Sequence, residues 1–148
     1  MWKSPSPLFH FSIEAIRMCP DVRVSDSHIE GKGVFAMRRF KKGEVVLRWD
    51  TSHRLTKTET DRLDEGTKRY VTFSKGSYML MQPPERYVNH SCDANTYVRD
   101  FCDVARRDIR KGEEITADYS EEGVPNLNMD CRCGSEKCRR VIRSREKN

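Results

Sequence analysis

Three cysteines within eight residues, in the segment Cys131–Cys138 (CRCGSEKC), constrain the fold of this chain most strongly. A Cys-x-Cys-x4-Cys spacing can bring thiolates together on one metal ion, because all three lie on a tight turn. A structural zinc ion is nearly always tetrahedral and takes four ligands, so a fourth ligand must come from elsewhere. The candidates are the four histidines and the cysteines Cys19, Cys92 and Cys102.

Size and cysteine content narrow the class of protein. A chain of 148 residues is long enough for one domain with a buried core. Six cysteines without a recognisable secretory signal favour metal binding in a reducing, intracellular compartment over a disulfide framework. No apolar run approaches the roughly 20 residues of a membrane-spanning helix, so no contact with a membrane is expected.

The net charge of +5 is concentrated at the C-terminus. Residues 131–148 contain seven basic and two acidic side chains, whereas the other 130 residues contain 21 of each sign. A basic tail of this kind can contact nucleic acid or an acidic partner, or it can be a solvated terminus. Both interpretations are open at this point.

The order of apolar runs and turn signals predicts a mainly β chain with one or two short helices. Residues 1–20 carry two prolines in KSPSP and are predicted to be an extension. Beyond them, short β-rich runs alternate with glycine turns, as in a curved sheet of small strands. The clearest helix is LTKTETDRLDEG, in which Thr56 and Glu59 form a capping box and Gly66 is placed to end the helix.

Sequence context distinguishes the candidate fourth ligands without deciding between them. Cys102 lies in an alternating run, FCDVA, where a lone thiol is usually a small buried hydrophobic side chain. Cys19 precedes Pro20 at the edge of the extension and gives no signal. Cys92 lies in RYVNHSCDAN, a polar segment without strand or helix periodicity, which is typical of a buried functional loop.

Four motifs in a fixed order resemble those of the SET-domain protein lysine methyltransferases. They are GKGVFA, RYVNHSCDANTYV, DIRKGEEITADYS and CRCGSEKC, which together cover roughly residues 21–142. One Gly-x-Gly would be a weak signal, but four motifs in this order and spacing are specific. The resemblance implies a β-rich α+β fold of small curved sheets around a C-terminal pseudoknot, with a zinc-bound post-SET tail.

The resemblance also implies a division of the chain and one metal site. The expected parts are an extension at 1–20, a SET domain at 21–123 with a short helical insert at 51–69, a linker at 124–130, and a post-SET zinc tail with a basic C-terminus at 131–148. In that family the tail cysteines share one zinc ion with the cysteine of the Asn-His-Ser-Cys segment. The zinc ligands implied are therefore Cys92, Cys131, Cys133 and Cys138, and a histidine or a second chain's cysteine is the alternative fourth ligand.

The reaction implied is methyl transfer from S-adenosylmethionine to the ε-amine of a protein lysine, with a histone tail as the default substrate. A free lysine has a pKa of about 10.4, so the pocket must favour the neutral amine. Apolar burial and the positive charge of the cofactor both do so. In-line alignment of amine, methyl group and sulfur supplies most of the remaining advantage.

The resemblance in these motifs also implies roles for individual residues. Tyr119, in TADY, matches the catalytic tyrosine, and Tyr78, in SYMLM, corresponds to a tyrosine of the lysine channel. Each could instead be a core aromatic residue with a hydrogen-bonded hydroxyl. Residues expected at the cofactor are Lys32, Gly33 and Val34 through their backbone, since glycine permits a close approach, and Tyr70, Asn89 and His90.

Two departures from the family pattern affect function. Ala94 replaces a usual proline in CDAN, with a small expected effect. Ala117 stands two residues before Tyr119, where relatives carry Phe or Tyr, an aromatic residue that limits how many methyl groups the pocket holds. Alanine leaves space, so di- or trimethylation is predicted unless another side chain fills the gap. Motif residues expected to be scaffold are Arg86, Asp93, Asn95, Glu113, Glu114 and Asp118.

Two other classes of function compete with a methyltransferase. One is a SET fold that has lost catalysis and binds protein or nucleic acid, against which the intact Asn89, His90 and Tyr119 count. The other is a small zinc ribbon that binds nucleic acid through its basic tail. The expected partner is a protein with an exposed lysine, in the nucleus of a eukaryote or in the cytoplasm of a microbe or host; the target lysine, source organism and oligomeric state are not predicted.

Overall fold

Residues 20–145 of the computed structural model form short strands joined by turns and a few short helices. Residues 1–19 of the predicted extension, including Cys19, and the last three residues of the tail lie outside the described residues. The strands in chain order are β1 (Val22–Asp26), β2 (Lys32–Ala36), β3 (Val45–Arg48), β4 (Arg54–Leu55), β5 (Val71–Ser74), β6 (Ser77–Leu80), β7 (Asn89–His90), β8 (Thr96–Arg99), β9 (Cys102–Ala105), β10 (Glu114–Ala117), β11 (Asn128–Asp130) and β12 (Val141–Arg143).

Four small sheets confirm the mainly β architecture. Their strand orders are β1-β2-β10-β7, β3-β9-β8, β4-β6-β5 and β11-β12. In the first sheet Ile115 of β10 pairs antiparallel with Val34, and Ala117 pairs parallel with His90. The C-terminal strand of the sheet therefore lies between β2 and β7, beside the Asn-His segment, as the resemblance implies.

The hydrophobic core joins the first sheet to β3 and β9. Val34, Phe40, Ile109 and Ile115 are fully buried in it, together with apolar residues of β3. Phe40 and Ile109 pair across two backbone hydrogen bonds of 2.9 and 2.8 Å, which connect the turns before β3 and β10. This core fixes the ends of β7 and β10, from which the functional segments extend.

The helical insert contains two short helices, α1 (Lys57–Asp61) and α2 (Glu65–Lys68). The predicted capping box is confirmed, since the backbone N–H of Glu59 donates to Thr56 Oγ1 at 3.1 Å and that of Thr56 to Glu59 Oε2 at 2.8 Å. The prediction that Gly66 ends this helix is wrong. Asp64 caps a new helix that contains Gly66, its carboxylate accepting from the Thr67 N–H at 2.8 Å.

Two 3₁₀ helices, Glu85–Tyr87 and Tyr119–Glu121, lead into and out of the functional region. The first ends shortly before β7 and the second begins shortly after β10, so both border the Asn-His segment. Within residues 20–145 no helix is long and apolar enough to cross a membrane.

The tail forms a two-stranded ribbon, and the last three residues of the predicted linker at 124–130 belong to one of its strands. Asn128–Asp130 forms β11 and pairs antiparallel with β12, and the pairing continues where the Cys131 N–H donates to Arg140 O at 2.8 Å. Ile142 of β12 is fully buried and anchors the ribbon. The three tail cysteines lie in the loop that the ribbon closes.

Candidate active site and metal centre

The four cysteines implied as zinc ligands lie together. The Sγ atoms of Cys92, Cys131, Cys133 and Cys138 are all within 4.8 Å of one another, and those of Cys92 and Cys131 are 3.7 Å apart. A Zn–S bond of about 2.3 Å places two sulfurs of a tetrahedral site roughly 3.8 Å apart. The spacing of the cluster therefore fits one tetrahedral zinc ion, and Cys92 as its fourth ligand stays a prediction.

The other described cysteine behaves as predicted from its context. Cys102 is buried in β9, and its Sγ lies 3.5 Å from the carbonyl oxygen of Asp100 and outside the cluster. Within the cluster, burial raises the pKa of Cys131 to about 12. Burial also opposes ionisation of Cys133, but backbone N–H groups of Cys92 and Ser135 lower its pKa to about 7. A bound divalent cation would deprotonate thiols that coordinate it.

His90 connects the cysteine cluster to Tyr119. Its Nδ1 accepts the backbone N–H of Tyr119 at 3.1 Å, and its Nε2 lies 3.4 Å from the Sγ of Cys92. Burial lowers the pKa of His90, which favours the neutral imidazole that can accept this hydrogen bond. The ring of His90 also packs edge-on against that of Tyr119, with centroids 5.3 Å apart.

Asn89 fastens the turn between β1 and β2 to β7. Its Nδ2 lies 3.0 Å from Glu30 O and 2.9 Å from Lys32 O, and it also reaches Ser27 Oγ and Glu114 Oε1. The sequence predicts that Asn89 contacts the cofactor, and the structure shows that its amide also donates hydrogen bonds to the β1–β2 turn. It holds the backbone of the Gly-x-Gly segment in place.

The structure gives a reason for glycine at position 33 in addition to the predicted approach to the cofactor. A Cβ at this position would lie 2.2 Å from Oε1 of Glu114, so the glycine makes room for that carboxylate. Val34 is fully buried in the core, and its side chain therefore cannot reach a ligand. A contact between the backbone of Lys32, Gly33 or Val34 and a cofactor stays a prediction.

Two cavities meet at Tyr119. The larger has a volume of about 360 Å³ and the smaller of about 350 Å³, and Glu30, Asn89, Tyr119 and Met129 line both. The smaller is otherwise lined by Ile29, His90 and residues 130–133 of the tail. Tyr119 therefore borders both a cavity beside the cysteine cluster and one beside the helical insert.

The hydroxyl of Tyr119 donates to the carbonyl oxygen of Val88 at 2.5 Å. Burial raises the pKa of Tyr119 far above its usual value, and the charge of Glu122 adds to the effect. The phenol therefore remains protonated at neutral pH. It can orient a neighbouring group by hydrogen bonding, but it is not a base.

The other two aromatic candidates, Tyr70 and Tyr78, lie in different surroundings. Tyr70 lines the larger cavity, with the guanidinium of Arg86 4.3 Å from its ring centroid. Tyr78 lies on β6 and packs against Phe73, with centroids 4.9 Å apart, and it lines neither cavity. Its neighbour Met79 is the β6 residue that faces the core. The structure thus brings Tyr70 to Tyr119 but not Tyr78, whose place in a lysine channel stays a prediction.

Ala117 lies in the hydrophobic core, with an exposed fraction of 2%. It does not line either cavity, and Tyr87 packs against the same core. Space left by the missing aromatic residue is therefore not an open extension of the larger cavity. The prediction of di- or trimethylation stays a prediction.

Sequence reasoning missed most of the wall of the larger cavity, including Trp49, Glu85, Asp103 and Glu122. The indole N–H of Trp49 donates to Asp103 Oδ2 at 2.8 Å. One signal could have indicated this site, since Asp103 is an acidic residue within the otherwise apolar strand CDVA.

Basic residues of the tail form ion pairs with the domain. Arg139 Nη2 lies 2.7 Å from Asp118 Oδ1, Arg145 reaches Asp118 at 3.6 Å, and Lys137 reaches Asp93 at 3.6 Å. Burial alone would raise the pKa of Asp118, but hydrogen bonds from Ser120 and Arg139 keep it below its usual value. Part of the tail's charge is therefore neutralised within the chain.

Comparisons with known proteins identify the family. The protein-family model described as "SET domain" matches residues 31–120 of this chain. Histone-lysine N-methyltransferase trithorax of Drosophila virilis is 29% identical over 146 residues, which cover 82% of this chain and 4% of the relative. Human histone-lysine N-methyltransferase 2B is 29% identical over 143 residues, covering 82% of this chain and 5% of that protein. The chain thus spans only a small part of the length of these curated relatives.

A solved structure agrees with these matches. A Plasmodium falciparum protein provisionally assigned to the histone methyltransferases superposes with a TM-score of 0.57 at 22% identity, covering 67% of this chain and 92% of that one. At this identity the likeness shows the fold alone. Since the family model matches more than half of the sequence, this chain belongs to the SET domain family.

Proposed function

We propose that this chain transfers a methyl group from S-adenosylmethionine to the ε-amine of a protein lysine. The observation that carries the proposal is that Tyr119 lines two cavities of similar volume. Methyl transfer needs such an arrangement, because the amine must approach the methyl carbon from the side opposite the leaving sulfur. The family membership and the names of the curated relatives support the same reaction.

The smaller cavity suits the cofactor. Ile29 and Met129 offer apolar contact to a flat adenine ring, and His90 is held as a neutral imidazole. When bound, S-adenosylmethionine supplies an electrophilic methyl group on a positively charged sulfur. Asn89 would support this site through its hold on the β1–β2 turn.

The larger cavity suits the lysine side chain. The Tyr119 hydroxyl and the Val88 carbonyl, 2.5 Å apart, belong to two residues that line this cavity, and Tyr119 also lines the smaller one. Hydrogen bonds to these oxygens would orient the amine and point its lone pair toward the methyl carbon. Trp49 and Tyr70 provide aromatic wall for the methylene groups of the lysine.

One structural zinc ion would be held by the four clustered cysteines. It would join Cys92, which lies two residues beyond His90, to the loop of the tail that borders the smaller cavity. Structural zinc binding supplies about 10–16 kcal/mol in small modules, enough to order this loop. The ion has no part in the methyl transfer itself.

The proposed substrate is a histone tail or another basic segment with an exposed lysine, which in a eukaryote would place the protein at chromatin. A function in nucleic-acid binding is less favoured, because Lys137, Arg139 and Arg145 are already paired with carboxylates of the domain. Phosphate contacts need free basic side chains.

Incubation with labelled S-adenosylmethionine, core histones and a whole-cell protein extract tests the proposal, with products identified by mass spectrometry. Tyr119→Phe is expected to abolish label on lysine while retaining cofactor binding. Tyr97→Phe is the matched control, because it removes a hydroxyl that lies on neither cavity. Cofactor binding without transfer to any lysine, or equal activity of Tyr119→Phe, would overturn the proposal.

A further inference from the structure

Three carboxylates share the wall of the larger cavity with Tyr119. Glu85 comes from the first 3₁₀ helix, Asp103 from β9, and Glu122 from the turn that follows Tyr119. Glu85 and Asp103 are 5% and 2% exposed, so both are more than nine-tenths buried. Acidic side chains this deeply buried need partners, because isolating a charge from water is costly.

In each of the three carboxylates one oxygen accepts a hydrogen bond, and the other has no hydrogen-bond partner within residues 20–145. Glu85 Oε1 accepts the backbone N–H of Asp50 at 2.8 Å, Asp103 Oδ2 accepts from Trp49, and Glu122 Oε2 lies 3.5 Å from the hydroxyl of Thr72. In residues 20–145 no fully enclosed side-chain oxygen lacks a hydrogen-bond partner. The remaining oxygens of these three residues therefore open onto the cavity that they line.

The cavity contains basic groups, but they are occupied elsewhere. Lys68 pairs with Glu65 at 3.5 Å, and Arg69 lies 3.9 Å from Glu30, the fourth acidic residue of the wall. Arg86 donates to the Met81 carbonyl at 3.0 Å and stacks on Tyr70. Within the described residues, none of Glu85, Asp103 and Glu122 forms an ion pair, so the cluster lacks a cation.

The same environment makes the carboxylates weak acids. Burial raises the pKa of Glu122 to about 8, with the charge of Asp103 adding to the effect. Burial likewise raises the pKa of Glu85 to about 7 and that of Asp103 to about 6. Groups that titrate near neutral pH are suited to accept and release protons there.

We propose that Glu122 binds the ε-ammonium group of the substrate lysine and accepts its proton before methyl transfer. Asp103 and Glu85, which line the same cavity, would add negative charge that attracts the ammonium group. This inference rests on the proposed function and assigns a proton acceptor to it. Tyr119 cannot take this role, because its phenol is protonated and already donates to Val88. Glu122 is the member of the cluster closest in sequence to Tyr119, three residues beyond it.

The proposed steps balance in atoms and charge. A proton passes from the lysine ammonium to the Glu122 carboxylate, which leaves a neutral amine and a carboxylic acid. The amine lone pair then forms a bond to the methyl carbon, and the electrons of the carbon–sulfur bond remain on sulfur as a thioether. The product is a methylammonium ion, which must lose a proton again before a second transfer, and the cluster can accept it after releasing the first to solvent.

The pH dependence of methyl transfer tests this assignment, with core histones and the whole-cell extract as substrates. We expect Glu122→Gln to reduce kcat at pH 7.5 by about 100-fold, a typical contribution of a positioned proton acceptor. The loss should shrink toward pH 10, as solvent deprotonates more of the lysine, which displaces the pH profile to higher pH. Asp103→Asn, which keeps an acceptor for Trp49, should cause a smaller displacement.

Asp61→Asn is the matched control, since it removes an exposed carboxylate outside the cavity and its ion-pair partner, Lys57, also lies outside the cavity. Cofactor binding is measured for every variant, so that a folding or cofactor defect is recognised. A wild type that binds cofactor but methylates no lysine contradicts the proposed function, and this inference with it. An active wild type whose Glu122→Gln and Asp103→Asn variants keep its pH profile overturns only the proton-acceptor assignment.

Discussion

The guanidinium of Arg139 donates to the Asp118 carboxylate at 2.7 Å, while the backbone N–H of the same residue lies 3.3 Å from the Sγ of Cys92. Asp118 immediately precedes Tyr119, and Cys92 lies two residues beyond His90. One residue of the tail therefore contacts both segments that form the junction of the two cavities. This contact, together with the cysteine cluster, closes the tail over the site.

Arg139→Ala is expected to loosen the tail. Removing one partner of a fully buried ion pair costs about 3–5 kcal/mol. The Arg139 side chain is 36% exposed and Arg145 lies 3.6 Å from Asp118, so we expect a smaller loss of about 1–3 kcal/mol. Hydrogen exchange of the backbone amides in β11 and β12 measures the effect. Arg143→Ala is the control, because Arg143 forms no ion pair within residues 20–145. Equal protection of the ribbon in both variants would contradict the proposed contact.

Zinc content should depend on Cys92 and not on Cys102. Cys92→Ser is expected to lower the bound zinc well below one ion per chain, because three thiolates leave a tetrahedral site incomplete. Cys102→Ser removes a buried thiol outside the cluster and should leave the zinc content unchanged. Metal analysis of both purified variants decides between them. Full zinc content in Cys92→Ser would assign the fourth ligand to another residue.

Thermal stability should fall as pH rises, because Glu122 has a raised pKa. Between the usual carboxyl pKa of about 4.3 and a folded-state pKa of about 8, the folded protein retains a proton that the unfolded chain has released. Its contribution is therefore present at low pH and lost through this window. Glu122→Gln removes the effect. We expect the difference in Tm between Glu122→Gln and wild type to be roughly a few degrees more positive at pH 8.5 than at pH 5.

Differential scanning calorimetry of wild type, Glu122→Gln and Glu65→Gln at both pH values measures this. Asp103 and Glu85 titrate in all three proteins, so the difference between Glu122→Gln and wild type isolates Glu122. A change in Tm that is equal at the two pH values would show that Glu122 has an ordinary pKa. Glu65 is exposed, and its substitution should change Tm little at either pH.

The sequence predicts the parts of the site that short motifs encode, and it misses those that depend on distant packing. The cysteine spacing and the capping box at Thr56 are local patterns, and the structure contains both. Asp103 and Glu85 lie far apart in sequence and meet only because the sheet of β9 and the first 3₁₀ helix border one cavity. The β11–β12 pairing likewise joins segments on either side of the cysteine loop, which composition alone reads as a linker.

Gly33 shows that a motif residue can have a second physical reason that the sequence does not reveal. The glycine suggests a backbone that approaches a ligand, whereas the structure shows the carboxylate of Glu114 in the space of a side chain. Glu114 follows Gly33 by about eighty residues, and only the pairing of β10 with β2 brings them together. Sequence spacing carries no information about such a contact.

Ala117→Tyr tests whether the missing aromatic residue sets the number of methyl groups. If the position faces the amine, the added ring should fill the space for further methyl groups and shift products toward monomethyl-lysine. Because Ala117 is almost fully buried in the core, the substitution also risks a cost of about 1–3 kcal/mol from overpacking. Ala117→Val is the control, since it adds bulk to the core without an aromatic ring.

Mass spectrometry of the products counts methyl groups per lysine, and chemical unfolding measures stability in parallel. A shift toward monomethyl-lysine in Ala117→Tyr alone, with a folded protein, would support a role in product specificity. Unchanged product ratios in a folded Ala117→Tyr variant would assign Ala117 to the core only. Product number would then depend on the wall formed by Trp49, Tyr70 and the acidic cluster, because these side chains border the space that the methylated amine must occupy.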